Sequence, residues 1–157
     1  MIRYVIAAIL AATLIAMSVP AVESAATARG ESTVESDVAE IETAAEHLIE
    51  EEPLPPEGLV GPQRSVELSF PRDSLANAPI RQFRLERVDD GNVTVARYRV
   101  EGGSRQTAVI DAPIVDESMR SPVKLGRPTG DATYVLVLQR DPNSDDQPVV
   151  VLTRTSR

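Results

Sequence analysis

The 157-residue chain contains no cysteine. Without one there is no disulfide framework, no thiolate metal site and no lipid-anchored cysteine of the kind that follows some export signals. Any exported domain of this chain is therefore held by packing alone. Histidine occurs once, as His47, between Glu46 and Glu50 with no second imidazole or thiol beside it. It reads as a solvated helix residue rather than a metal ligand or general base, and a Ser-His-Asp triad has little geometric chance. Lysine also occurs once, as Lys124, and the aromatic residues are three Tyr and two Phe. So few aromatics, and no uncompensated basic patch, argue against nucleic acid as a partner. No convergent set of catalytic groups is left, so the sequence predicts no enzyme, no cofactor and no small-molecule substrate.

What is abundant is acid, and it is concentrated. The formal charge is -8. Between Glu23 and Glu52 the only base is Arg29, whereas from Pro53 onward acids and bases cancel. The acidity thus belongs to one segment. Combined with the preference for Arg over Lys, it suits a protein from a salty medium, where carboxylates stay hydrated, although GC-rich coding gives the same Arg bias.

Ahead of that segment, Arg3 is followed by ~16 apolar or small residues from Tyr4 to Val19, close to the ~17–25 a helix needs to cross a bilayer. Two readings compete. One is a cleaved secretory signal, with Pro20 and the small residues Ala21 to Ala26 offering a cleavage site. The other, favoured here, is an uncleaved anchor over residues 1–22, in which Arg3, Tyr4, Ile6, Leu10, Leu14 and Pro20 carry membrane spanning and assembly. Arg3 below and the acidic run above place the N-terminus in the cytoplasm under the positive-inside rule. Both readings export the remainder.

Residues 23–52 predict an acidic amphipathic helix. Ser32-Thr33-Val34-Glu35 fits a capping box, and Val34, Val38, Ile41, Ala45 and Leu48 recur at helical spacing as one apolar stripe. Glu35, Asp37, Glu40, Glu42, Glu46 and Glu50 to Glu52 fill the other faces. Pro20 and Gly30 leave open whether residues 1–52 form one helix or two.

Residues 53–64, with Pro53, Pro55 and Pro56, predict a stiff linker. Over 65–157 the period changes to strands: Ser65 to Phe70, Ile80 to Val88, Val93 to Glu101, Arg105 to Ile110, Thr133 to Arg140 and Val149 to Thr155. The turn signals Asp89-Asp90-Gly91-Asn92 and Gly102-Gly103 make the middle an antiparallel meander. Asp111 to Gly130 reads as a long irregular connection. The last two runs are apolar on both faces and predict central strands. The expected fold is α+β: an apolar helix, an acidic helix, and an antiparallel sheet on which the Val34 to Leu48 stripe lies.

Asp141-Pro142-Asn143-Ser144-Asp145-Asp146 opens like a calcium loop, but Asp146 stands where glycine makes the turn and Leu152 where a bidentate Glu is required, so an exposed hairpin loop is expected. The run Glu50 to Glu52 reads by default as a solvated helix end, but it lies against the negative end of its helix, where a cationic partner is favourable. Arg84, Arg97, Arg99 and Arg105 on adjacent strands offer one, within the molecule or from a neighbour. Glu42, Glu46 and Glu50 against Arg97 and Arg99 are the expected inter-subunit charge pairs.

The layout resembles that of archaeal type IV pilin-like proteins: a short cationic start, an apolar helix, an amphipathic continuation, then an antiparallel sheet. The start Met1-Ile2-Arg3-Tyr4-Val5-Ile6-Ala7-Ala8, the Pro20-Ala21 pair, the acidic helix and the ending Gln147-Pro148-Val149-Val150-Val151 resemble a haloarchaeal family of small membrane-anchored proteins. The resemblance implies a cell-membrane protein with pilin-type protein partners, a minor pilin or accessory subunit. It departs from that pattern in one place: Arg3 is followed by Tyr4, where a prepilin peptidase site has Gly or Ala. A secreted β-domain binding module is the alternative.

Overall fold

The computed structural model describes residues 2–56, 58–88, 91–142, 144 and 147–155. A single helix, α1 (Ile2–Glu51), carries both helical segments without a break. At ~1.5 Å rise per residue it is about 75 Å long. Pro20 lies inside it; its ring removes the N–H that would reach the carbonyl of Ala16, yet the helix continues on both sides. The expected capping box at Ser32 to Glu35 does not form. Such a box satisfies the orphan N–H groups of a helix start, and here the preceding turns already satisfy them. Thr33 Oγ1 instead donates back to Arg29 O at 3.0 Å.

The fold is α+β, and the strands make two sheets rather than one. The first has the order β1 (Gln63–Phe70), β7 (Gly130–Arg140), β8 (Pro148–Arg154), β5 (Ile114–Val115). The second has the order β4 (Arg105–Ile110), β3 (Thr94–Val100), β2 (Ile80–Arg87), β6 (Val123–Gly126). All neighbours pair antiparallel except β5 with β8, which is parallel. The β2–β3–β4 meander is as expected, although Asp89 and Asp90 of its first turn lie outside the described residues. The stretch expected to be irregular, Asp111 to Gly130, contains β5 and β6, of two and four residues, too short to show a period. The proline segment is no free spacer either. Pro55 is buried, and its carbonyl accepts from Arg140 Nε at 2.9 Å.

The two sheets face each other across one core, and α1 touches β1 and β7 of the first and β3 and β4 of the second. It thereby closes the side of the sandwich where the edge strands β1 and β4 lie. Four of the five aromatic residues stand in a row through this core. Tyr134 meets Phe70 in the first sheet, Phe70 meets Phe83 across the gap at 5.9 Å between ring centroids, and Phe83 meets Tyr98 in the second, all edge to face. Two buried polar links join the sheets as well. Arg87 Nη1 donates to Asp141 Oδ2 at 2.6 Å, and the Thr94 hydroxyl donates to Ala112 O at 2.7 Å while accepting from Ile114 N at 2.8 Å. The outer face of β8 is covered too: Val149 and Val151 pack with Val115 under Met119, on a loop pinned by Asp116, which explains why β8 is apolar on both faces.

Candidate functional site

α1 divides into a free half and a built-in half. The described side chains from Arg3 to Ala25 are exposed, Tyr4 to 82%. Between Arg3 and Glu23 no residue is charged, a length of roughly 28 Å at ~1.5 Å per residue, against a bilayer core of ~30 Å. The segment is long and apolar enough to cross a membrane by length and composition. Thr13 Oγ1, in the middle of the segment, donates to Ile9 O at 2.8 Å and so asks nothing of its surroundings. Ile6, Leu10 and Leu14 are exposed on this free half, as expected of residues that meet lipid or other helices.

The built-in half starts at Ala26, where two loops grip the helix. Ala26 O accepts from Ala78 N at 3.2 Å, and Thr27 Oγ1 donates to Glu101 O at 3.1 Å. A Cβ on Gly30 would stand 2.7 Å from Ala78 O and 2.9 Å from Val100 Cγ1, so glycine is what allows this approach. Above this collar Val34, Val38, Ile41, Ala45 and Leu48 are all buried, as their spacing predicts.

Asp37 departs from expectation. Its spacing assigned it to the wet faces, but it is buried on the flank of the stripe, beside the edge strand β1. Its Oδ1 accepts from Ser69 N at 3.1 Å, and its buried Oδ2 has no partner among the described residues. Burial pushes its pKa up from 3.8 to about 6; the Ser69 N–H opposes the rise and Glu40 adds to it. Because the folded-state value lies above the unfolded one, the stability it contributes is complete below about 3.8 and is lost as pH rises through about 6. We expect the chain to gain on the order of 2 kcal/mol from this group between pH 7 and pH 4. Asp37→Asn should raise stability at pH 7 and flatten that pH window. Denaturant titrations of both proteins at the two pH values check it.

The other acids sort by flank. Glu35, Glu42, Glu46 and Glu50 share one side of α1, and none of them forms an ion pair among the described residues. The cation expected near the helix end comes from Arg64, not from the meander arginines: its Nη2 lies 2.9 Å from Glu51 Oε2, and its Nη1 lies 3.3 Å from His47 Nδ1. His47 is accordingly half-buried rather than solvated. Within the chain, Glu42, Glu46 and Glu50 do not meet Arg97 or Arg99. Arg97 pairs with Glu86, and Arg99 is exposed. The hairpin joining β7 to β8 is where the calcium-like sequence falls. Asp141 there is buried against Arg87, while Asn143, Asp145 and Asp146 lie outside the described residues. Among the described residues no group of three or more His, Asp or Glu is placed to hold a metal ion.

The sequence profile of a family described as a domain of unknown function, DUF7311, matches residues 1–155. The chain belongs to that family. The match runs across α1 and both sheets, so the DUF7311 unit here is the helix together with its sandwich, and not the sandwich alone. No curated protein and no solved structure matches the chain.

Proposed function

We propose that this protein is a non-enzymatic, single-pass subunit of a type IV pilin-like surface assembly, a minor or accessory pilin, with Arg3 on the cytoplasmic side and the sandwich outside the cell. The observation that carries the reading is the division of α1: one continuous helix whose upper half is part of the sandwich core and whose lower half is apolar and exposed among the described residues. A helix apolar on all sides finds its partners in lipid or in other such helices. The single cation below and the acidic load above favour the stated orientation.

One feature favours a second reading. The buried part begins at Ala26, just past the small residues Ala21 to Ala25, so cleavage there would leave the sandwich whole as a secreted binding module. Membrane fractionation with N-terminal sequencing separates the two. We expect the chain in the membrane pellet after an alkaline wash, beginning at Met1 or next to Arg3, and copurifying with pilus-type ATPase and platform components. A soluble product beginning near Ala25 would refute the membrane reading.

A further inference from the structure

The outer face of the second sheet is unusually basic for a domain whose acids and bases otherwise balance. Arg84 on β2, Arg97 and Arg99 on β3, Arg105 on β4 and Lys124 on β6 all alternate away from the core residues Phe83, Leu85, Tyr98 and Val100. Glu86 is the one acid the same strands place among them. The register sets like charges directly opposite each other. Arg99 faces Arg105, and Arg84 faces Arg97 on one side and Lys124 on the other. Opposed like charges at ~5 Å between Cβ atoms weaken a sheet. Glu86 relieves only part of this, through Arg97 and, at 3.9 Å, Arg84. Arg99, Arg105 and Lys124 form no ion pair among the described residues, and Arg84 Nε is buried without a hydrogen-bond partner among them. A face built this way is relieved by an anionic partner.

The same chain carries a matching surface. Glu35, Glu42, Glu46 and Glu50 line one flank of α1 and are likewise unpaired. Successive acids at i and i+4 rise ~6 Å along a helix, and alternate strand residues such as Arg97 and Arg99 are ~6.6 Å apart. A helix laid along β3 therefore meets the cations in step. We infer that the outer face of the second sheet is a docking surface for the acidic α1 flank of a second copy of this chain. The inference rests on the assembly reading above and names the partner. Copies anchored in one membrane stand side by side with the same polarity, so the α1 flank of one copy and the sheet face of the next lie at the same height above it. Charge complementarity of this kind sets the register and suppresses wrong partners.

The absence of cysteine makes the test unambiguous, because each introduced thiol is the only one in its copy. Full-length chains carrying Arg99→Cys and, under a second tag, Glu35→Cys, Glu42→Cys or Glu46→Cys are co-expressed in membranes and mildly oxidised. At least one mixed pair should cross-link at five-fold or more the yield of the Arg99→Cys homodimer. Adding Arg105→Glu and Lys124→Glu to the Arg99→Cys copy should remove that excess; both positions are exposed, and an unchanged melting temperature shows that the fold is kept. Glu→Arg at the remaining flank positions of the other copy should restore it. Equal mixed and homotypic yields, or yields indifferent to charge reversal, overturn the inference. So does a loss that appears only in binding to phosphatidylglycerol vesicles, which would make the face a lipid headgroup site. Fractionating the same samples keeps the two readings apart. Selective cross-links in a soluble product would sink the membrane reading and leave this one standing, while membrane residence without them would do the reverse.

Discussion

Asp141→Ala is expected to lower the unfolding free energy by about 3–5 kcal/mol, because it takes a buried carboxylate away from the Arg87 guanidinium. The two side chains are 5% and 3% exposed, and they tie β2 of the second sheet to the end of β7 in the first. Arg87 Nε also donates to Gly91 O at 2.7 Å, so the same side chain holds the β2–β3 turn. The loss comes from removing one side of a buried, desolvated ion pair, not from the net worth of the pair. The double variant Arg87→Met/Asp141→Leu, which removes both charges and keeps the volume, should therefore recover most of it. Urea denaturation of the full chain in detergent, followed by circular dichroism, reads both. If the double variant were as unstable as the single one, the ion pair would not be the cause.

Phe83→Ala should cost a similar amount, about 3–5 kcal/mol, through the cavity left in the middle of the aromatic row. Phe83 is 1% exposed and is the ring that meets both Phe70 of the other sheet and Tyr98 of its own. The loss should be accompanied by a weakened near-ultraviolet dichroism from Tyr98 and Tyr134, whose packing the row fixes. A cycle of Phe70→Leu and Phe83→Leu should show a coupling of about 0.5–1.5 kcal/mol, the usual excess of an edge-to-face pair over its buried area. Additive losses would mean that the rings contribute area alone. With no disulfide to hold the sheets together, they cohere through the one buried core they share, in which Phe70 and Phe83 meet across the gap.

The free and built-in halves of α1 were both legible as segments, because each has its own pattern: an unbroken apolar run, then a stripe at helical spacing among acids. Their fusion was not. The capping signal at Ser32 to Glu35 is a property of a helix start, and nothing local reveals that the preceding residues already supply hydrogen-bonded turns. The six longer strands follow from their β-branched composition and turn residues, whereas β5 and β6 exist only because longer strands stand beside them. The docking cations were half visible. Arg97 and Arg99 stand out on their strand, but Arg105 and Lys124 join them only once the register of β4 and β6 is known.

The sequence by itself determined that the chain has an apolar helix able to span a membrane, an acidic amphipathic continuation and a β domain, and that no cysteine chemistry holds it together. Periodicity and composition are local, and they decide local structure. The tertiary structure alone decided that two sheets form instead of one, that Asp37 and Asp141 are buried, and that five cations collect on one outer face. Each of these depends on which strands pair and in what register, and pairing joins residues far apart in the chain, where no periodicity reaches.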